Sequence, residues 1–218
     1  MSKFFIPSLN FIVLFLFFGF FEGCQSSPDD HLKLKIDPKE QPTIGNPQAP
    51  VHVIVFEEPK CSACKKFTTL IYPLIKKNYI DTAKVRYTII PVSFIPKSMP
   101  AAIAWLCVYH QKSSDPELTF KYIDYMYSNQ PTDASDWATE ENLIQFAKET
   151  SPVIDLDLLK ECLLKETYQA QIEKNTVDGT NLMQGELSAP GIYVNGQVLD
   201  TMSYEAIRQL IDQKLKEK

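Results

Sequence analysis

The sequence predicts an α/β fold in which a long helical block separates the first strands from the last ones. Residues 51–56 are β-branched and almost all apolar, which is typical of a strand buried on both faces. From about residue 98 to 181 the apolar side chains repeat with a helical spacing instead. Strand character returns at residues 191–194, before the hairpin signal Asn195-Gly196. We therefore expect strands on both sides of a helical block.

The first strand leads into a helix and a second strand. Residues 62–79 predict a helix, and Pro73 should kink it because proline has no N–H to donate. The run KVRYTII at 84–90 predicts a strand that ends at Pro91. The predicted helix has five apolar side chains on one face: Phe67, Leu70, Ile71, Leu74 and Ile75.

The helical block and the last helix follow from periodicity and capping residues. Asp115 can cap a helix whose first turn holds Pro116. Ser203 can cap a last helix that buries Ile207 and Leu210. The block predicts helices at 99–111, 116–128, 140–150, 156–166 and 168–181.

Composition excludes several classes of protein. The 218 residues suit one ordinary domain, and 22 basic against 27 acidic residues give a net charge of −5. That charge argues against nucleic acid as a partner, since phosphate contacts need a basic surface. With 7 glycines and no GxGxxG or GxxxxGK motif, the chain lacks the phosphate-binding loops of dinucleotide and P-loop proteins.

The N-terminus has the features of an export signal. Eight of the 13 phenylalanines precede Cys24, and the apolar run 11–21 is too short to span a bilayer comfortably. The pattern resembles a bacterial lipoprotein signal, which implies a signal peptide at 1–23 and a lipidated Cys24. Ordinary cleavage or an uncleaved anchor are the alternatives. Each places the remaining chain outside the cytoplasm, where disulfides persist. Prolines among charged residues predict a tether and entry segment at 24–48.

A Cys-x-x-Cys motif, Cys61-Ser62-Ala63-Cys64, stands between the first strand and its helix. Free N–H groups at a helix N-terminus stabilise a thiolate, so Cys61 is the expected nucleophile. Cys64 lies one turn later on the same face and would resolve a mixed disulfide. We expect the nearby Lys60, Lys65 and Lys66 to lower the pKa of Cys61 further.

These features resemble the thioredoxin superfamily, and the segment GNPQAPV at 45–51 is similar to its DsbA-like branch. The resemblance implies a thioredoxin-like domain at 49–97 and 182–218, with a central mixed sheet flanked by helices, and an all-helical insertion at 98–181. It implies a cis Pro190 that, with Ala189, docks substrate polypeptide beside the Cys61–Cys64 pair. It also implies a second, structural disulfide between Cys107 and Cys162, and a membrane redox partner.

The chain departs from the superfamily pattern at three places, one of which is Ala189, smaller than the Val, Ile or Thr that usually precedes the proline. Val55 stands where a buried acid is common; Glu57 has the same strand parity and could substitute, but Glu57 and Glu58 are most simply solvated acids. The residues between the two cysteines are Ser and Ala, without a histidine, which predicts weaker stabilisation of the thiolate.

Other interpretations of the cysteines, and the roles of the histidines and of the side chains on one predicted helix, stay open at this point. Cys107 and Cys162 could be inert core thiols. Zinc bound by Cys61, Cys64, Cys107 and His110 is a disfavoured alternative, and we expect no metal or cofactor. We expect His31 to lie in the tether and His52 to have a structural role. Helical spacing predicts core packing for Tyr122, Tyr125 and Met126.

The sequence therefore predicts an exported thiol–disulfide oxidoreductase that exchanges disulfides with cysteines of other extracytoplasmic proteins. Disulfide formation is the favoured direction. A thiol reductase or isomerase of the same fold is the alternative. A third hypothesis is a tethered, non-catalytic binding or chaperone module in which Cys61 and Cys64 form a permanent disulfide.

Overall fold

The computed structural model of the protein describes Met1 and residues 40–111, 115–131 and 135–217. The predicted lipidation site Cys24, His31 and the signal peptide beyond Met1 lie outside the described residues, as does most of the tether predicted for 24–48. The described residues from 40 onward belong to one compact unit. The boundaries of the helical insertion at 98 and 181 stay a prediction.

A five-stranded mixed sheet forms the centre, which confirms the predicted fold class. Its strands are β1 (Thr43–Gly45), β2 (Val51–Glu57), β3 (Val85–Pro91), β4 (Gly191–Val194) and β5 (Gln197–Leu199). They lie in the order β1-β3-β2-β4-β5. Only the pair β2 and β3 is parallel; β1, β4 and β5 each pair antiparallel with their neighbours. The central strand β2 therefore has a partner on both edges.

Strand β1 lies in the segment that we predicted to be a tether. It places Thr43 opposite Thr88 in β3, and their hydroxyl groups are 2.8 Å apart. Of its three residues only Ile44 is buried, so the strand has no alternating pattern long enough to be recognised in the sequence. Gly45 closes the strand with φ +95°, and a Cβ there would meet the carbonyl oxygen of Val85 at 2.5 Å.

A buried pair of amide side chains holds this N-terminal strand to the fold. Nε2 of Gln41 donates to Oδ1 of Asn175 at 2.9 Å, and Nδ2 of Asn175 donates to Oε1 of Gln41 at 3.1 Å. Nδ2 of Asn175 also donates to the carbonyl oxygen of Pro91 at 3.0 Å. These bonds tie residue 41 to the end of β3 through a helix that is distant in sequence.

The helix after the Cys-x-x-Cys motif alternates α and π turns. It runs through α1 (Ser62–Lys66), a π segment (Phe67–Ile71), α2 (Tyr72–Ile75) and a second π segment (Lys76–Ile80). The N–H of Tyr72 donates to the carbonyl of Phe67, five residues back, just before Pro73, which has no N–H to offer.

The π turns change which side chains this helix buries. Phe67, Ile75 and Tyr79 are buried, whereas Leu70 is 67% and Leu74 41% exposed. The prediction of Leu70 and Leu74 on the buried face was therefore wrong. An α-helix repeats every 3.6 residues, but π turns widen the repeat, and the buried positions here recur at about every fourth residue.

Within the described residues six further helices follow, and they include the five predicted for the helical block. They are α3 (Met99–Tyr109), α4 (Pro116–Asn129), α5 (Glu140–Thr150), α6 (Leu156–Leu164), α7 (Gln169–Leu182) and α8 (Tyr204–Lys216). The side chain of Asp115 caps α4 by accepting from the N–H of Glu117 at 3.0 Å. Tyr122 and Met126 are fully buried, which confirms core packing for that face of α4, while Tyr125 is only partly buried. None of the described helices is long and apolar enough to cross a membrane.

Candidate redox site

The Cys-x-x-Cys motif lies at the end of the central strand β2. After Glu57 the chain makes a short turn, in which the N–H of Cys61 donates to the carbonyl of Glu58 at 3.0 Å. Cys61 then has an extended backbone conformation and caps α1. The strand thus delivers the first cysteine to a helix N-terminus, as the sequence predicts.

Cys61 is a partly exposed thiol whose charged form is stabilised. Its Sγ accepts a hydrogen bond from the N–H of Cys64 at 3.4 Å. The side chain of Cys64 and the backbone N–H groups of Cys64 and Ala63 lower the pKa of Cys61 to about 6, against an opposing effect of burial. At neutral pH most of the reduced protein therefore carries a thiolate at Cys61.

Cys64 is the opposite kind of thiol. It is fully buried, and burial raises its pKa well above the usual value. The hydrogen bond that it donates to Cys61 and the charge of Glu57 raise that pKa further. Cys64 is therefore protonated when both cysteines are free, and only Cys61 is available as a nucleophile.

The loop before β4 lies against Cys61. The Sγ of Cys61 donates to the carbonyl oxygen of Ala189 at 3.3 Å when it is protonated, and the Ala189–Pro190 bond is cis. A cavity of about 370 Å³ opens beside this loop. Ala63, Val198 and Met202 line it with Ala189 and Pro190. The structure therefore brings Cys61, Cys64, Ala189 and Pro190 together, next to this partly apolar cavity.

Glu57 is buried beneath the motif, so the expectation of a solvated acid was wrong. Its Oε2 accepts from the hydroxyl of Thr68 at 3.0 Å and its Oε1 from Tyr87 at 3.5 Å. Burial raises the pKa of Glu57 to about 7, although these hydrogen bonds oppose the rise. The parity of Glu57 with the fully buried Val53 and Val55 was the signal in the sequence.

Glu58 is buried as well, again contrary to expectation. Its Oε2 accepts from the backbone N–H of Lys60 at 2.8 Å, and burial raises its pKa to about 7. The hydroxyl of Tyr127 donates to the carbonyl of Glu58 at 3.2 Å. Helix α4 therefore covers the end of the strand, a tertiary contact that local sequence patterns do not reveal.

The lysines around the motif do not act as we expected. The pKa of Cys61 is lowered by Cys64 and by backbone N–H groups, not by Lys60, Lys65 or Lys66. Nζ of Lys60 instead donates to the carbonyl of Pro96 at 3.3 Å, and Nζ of Lys65 to the carbonyl of Gln130 at 3.4 Å. The ammonium groups of Lys60 and Lys65 thus bond to backbone carbonyls that are distant in sequence.

The other two cysteines lie apart from this site. Cys107 in α3 and Cys162 in α6 form a disulfide with an S–S distance of 2.03 Å. Because Cys107 is bonded, it cannot be the thiolate ligand that the zinc alternative needs. Over the described ranges, no three His, Cys, Asp or Glu side chains are arranged to hold a metal ion. His110 instead stacks on Tyr168, with ring centroids 4.9 Å apart.

His52 has a structural role, as expected. Its Nε2 lies 2.8 Å from the hydroxyl of Thr88 on the neighbouring strand. Burial, with the charge of Arg86, lowers the pKa of His52 to about 4. The imidazole is therefore neutral at the pH at which the thiol pair would react.

The fold and this pair of unlike thiols define a thiol–disulfide oxidoreductase, and comparison with known proteins agrees. A family model described as Thioredoxin matches residues 37–213. Disulfide bond formation protein D of Bacillus subtilis is 35% identical over 182 residues, which cover 83% of this chain and 79% of that protein. A probable disulfide bond formation protein D of Bacillus cereus is 32% identical over 178 residues, 81% of this chain and 79% of the relative.

Solved structures of the same kind superpose well on this chain. The crystal structure of Chlamydia trachomatis DsbA is 37% identical, with a TM-score of 0.76, covering 84% of this chain and 97% of that one. Oxidised BdbD from Bacillus subtilis is 33% identical, with a TM-score of 0.73, covering 83% and 95%. The chain therefore belongs to the thioredoxin family, as a DsbA-like thiol–disulfide oxidoreductase.

Proposed function

We propose that the protein oxidises pairs of cysteines in other extracytoplasmic proteins, using a disulfide between Cys61 and Cys64. The contrast between the two thiols carries this proposal. Cys61 is accessible and has a pKa of about 6, whereas Cys64 is buried and has a raised pKa. In such a pair the accessible sulfur reacts with the substrate, and the buried sulfur forms or breaks the disulfide with it.

The exchange takes place in two displacements. A substrate thiolate attacks Sγ of Cys61, the Cys61–Cys64 bond breaks, and Cys64 leaves and takes up a proton. A second substrate thiolate then attacks the substrate sulfur of the mixed disulfide, and Cys61 leaves as a thiolate. The substrate loses two electrons, which reduce the Cys61–Cys64 pair.

Glu57 is the proposed source of the proton that Cys64 takes up. It lies close enough for its charge to raise the pKa of Cys64, and its own pKa of about 7 leaves part of it protonated at neutral pH. The hydroxyl of Thr68 can stabilise the carboxylate after the proton has left.

The low pKa of Cys61 favours disulfide formation over reduction. A stabilised thiolate stabilises the reduced protein, which makes the disulfide a better oxidant. The pKa of about 6 lies between the values of about 7 for thioredoxin and about 3.5 for a strongly oxidising DsbA. We therefore infer an oxidant of intermediate strength. The names of the Bacillus relatives refer to disulfide bond formation, which supports the same direction.

Ala189 and Pro190 are the proposed docking residues for the substrate polypeptide. The carbonyl oxygen of Ala189 lies 3.3 Å from Sγ of Cys61, and the cavity beside it has room for a substrate side chain. We further propose export, a lipid anchor at Cys24 and a membrane partner that reoxidises the pair. Reoxidation has to be supplied from outside, because each turnover leaves both cysteines reduced.

The test uses three variants and a dithiol substrate. Cys61→Ser should abolish oxidation of a reduced peptide, and Cys64→Ser should accumulate mixed disulfides between Cys61 and the substrate. A Cys107→Ala/Cys162→Ala double variant is the control and should keep its activity. Full activity of Cys61→Ser would refute the proposal. Absence of turnover in the unmodified protein, together with a strongly reducing potential, would favour the non-catalytic binding module.

A further inference from the structure

A second cavity, on the lysine-rich side of the motif, borders Ser62, the residue that follows Cys61. It has a volume of about 590 Å³, within the range of protein sites that bind small groups. Its walls combine the basic side chains of Lys60, Lys65 and Lys66 with apolar surface from Pro96 and Trp137. We call this cavity the lysine groove. It is distinct from the cavity beside Pro190.

Positive charge in the lysine groove exceeds negative charge. Asp136 is the acidic side chain in its wall, and it is shared: Oδ1 lies 3.6 Å from Nζ of Lys60, and Oδ2 contacts Lys97. Within the described residues, Lys65 bonds to a neutral carbonyl, that of Gln130, and Lys66 has no ion pair. Among the described residues that line the groove, three lysines therefore face one carboxylate, on a protein whose net charge is −5.

The redox chemistry leaves these lysines without a role. They are not among the groups that lower the pKa of Cys61, and neither Lys65 nor Lys66 forms an ion pair within the described part of the chain. The ammonium of Lys60 is held in place, because its side chain is only 10% exposed. Concentrated charge of one sign beside a reactive group attracts ligands of the opposite sign.

We propose that the lysine groove binds an acidic side chain of the substrate polypeptide, near the cysteine that reacts with Cys61. This inference rests on the proposed function and adds a substrate preference to it. Helix α1 rises about 1.5 Å per residue, so Lys65 and Lys66 lie roughly 6–8 Å along the helix from Cys61. An extended peptide covers that distance in about two to three residues.

The walls of the groove favour a peptide over other anions. Pro96 and the ring of Trp137 offer apolar contact to the stem of a Glu side chain or to its neighbours, while the lysines receive the carboxylate. The groove also begins at the residue after Cys61. A substrate polypeptide whose cysteine reacts with Cys61 is therefore brought to the groove by the reaction itself, whereas a free anion is not.

The test compares three reduced peptides, each with two cysteines, that differ at one position about three residues from the first cysteine: Glu, Gln or Lys. The oxidised full-length protein should oxidise the Glu peptide about three- to tenfold faster than the Lys peptide at low ionic strength. Salt should reduce this preference, because it screens exposed charges. Lys65→Gln/Lys66→Gln should lose the preference.

The matched control is Lys121→Gln/Lys160→Gln, which makes the same change in net charge on α4 and α6 and should keep the preference. Equal rates with all three peptides would refute the groove while leaving the proposed function intact, as would a preference that survives in Lys65→Gln/Lys66→Gln. Binding of phosphatidylglycerol vesicles that this variant loses, without any peptide preference, would assign the groove to lipid instead. No oxidation of any peptide would overturn the proposed function and this inference together.

Discussion

The hydroxyl of Thr68 donates a 3.0 Å hydrogen bond to Oε2 of Glu57, joining the helix that carries Cys64 to the end of the central strand. Thr68 is one helical turn beyond Cys64, and both side chains are buried. The acid therefore lies on the internal side of the thiol pair, with its proton shielded from solvent. Its ionisation affects both the chemistry and the stability of the fold.

Replacing Glu57 by Gln should change how stability depends on pH. Burial raises the pKa of Glu57 from 4.5 to about 7, so the folded protein holds a proton that the unfolded chain loses. Its contribution is fully present below pH 4.5 and disappears as the pH rises through 7. The loss amounts to about 3 kcal/mol in the free energy of unfolding. Denaturant unfolding of Glu57→Gln should therefore show a smaller decline between pH 5 and pH 8 than the unchanged protein.

The control for this experiment is Glu141→Gln, an exposed acid in the first turn of α5, which should leave the pH dependence unchanged. An identical decline in Glu57→Gln and the unchanged protein would show that Glu57 is ionised in the fold. In kinetics, the same variant should slow the step in which Cys64 takes up its proton, with little effect on alkylation of Cys61.

Replacing Cys64 should raise the pKa of Cys61, because the largest cause of the lowered value is the Cys64 side chain. Cys64→Ala removes that donor, while Cys64→Ser keeps a hydroxyl that can donate to the thiolate. The pH at which alkylation of Cys61 reaches half of its maximal rate, about 6 in the reduced protein, should rise more in Cys64→Ala than in Cys64→Ser. Equal midpoints in the two variants would assign the lowering to the backbone N–H groups alone.

The reduction potential of the pair should lie between those of thioredoxin and a strong oxidant. Values of about −270 mV and about −120 mV bracket the range, and the pKa of about 6 places this protein inside it. Equilibration with glutathione, with the reduced fraction measured by thiol trapping, checks this expectation. A potential below the thioredoxin value would argue for a reductase.

His52 should affect stability in the opposite direction to Glu57. Its pKa is lowered from 6.5 to about 4, so the unfolded chain gains a proton before the folded protein does. Its contribution is present above pH 6.5 and is lost as the pH falls toward 4. His52→Gln should therefore lose less stability on acidification than the unchanged protein, measured by thermal unfolding. A steeper acid-side loss in His52→Gln would contradict this assignment.

The disulfide between Cys107 and Cys162 should stabilise the helical part of the fold without taking part in turnover. It joins residues that are 55 positions apart, and closing a loop of that size in the unfolded chain is worth about 2–4 kcal/mol. Cys107→Ala/Cys162→Ala should lower the free energy of unfolding by that amount in denaturant titrations. Loss of peptide oxidation at a temperature at which the variant is still folded would contradict a purely structural role.

The sequence could predict those parts of the molecule that local patterns determine. The apolar run of β2, the cap at Asp115 and the position of Cys61 at a helix start all depend on neighbours within a few residues. The burial of Glu58 could not be predicted in this way, because its cover comes from Tyr127 in a helix about seventy residues later. The exposure of Leu70 follows from π turns, whose hydrogen bonds have no clear sequence pattern.

The lysines show a different kind of limit. They are close to Cys61 in the sequence, but closeness in sequence alone does not tell which group an ammonium bonds to. The carbonyls of Pro96 and Gln130, to which Lys60 and Lys65 bond, are distant in sequence, and no local pattern reveals them. Lysines near the motif in the sequence therefore did not predict what lowers the pKa of Cys61.

The reciprocal amide bonds between Gln41 and Asn175 have a mechanical consequence. A force applied to the chain on the N-terminal side of residue 40 enters the fold through this pair and through the short strand β1. Asn175 passes the load to the carbonyl of Pro91, which lies opposite Glu57 in the pairing of β3 with β2. Tension on that end of the chain would therefore act first on side-chain hydrogen bonds and on β1, and next on the strand end that carries the buried acid of the redox site.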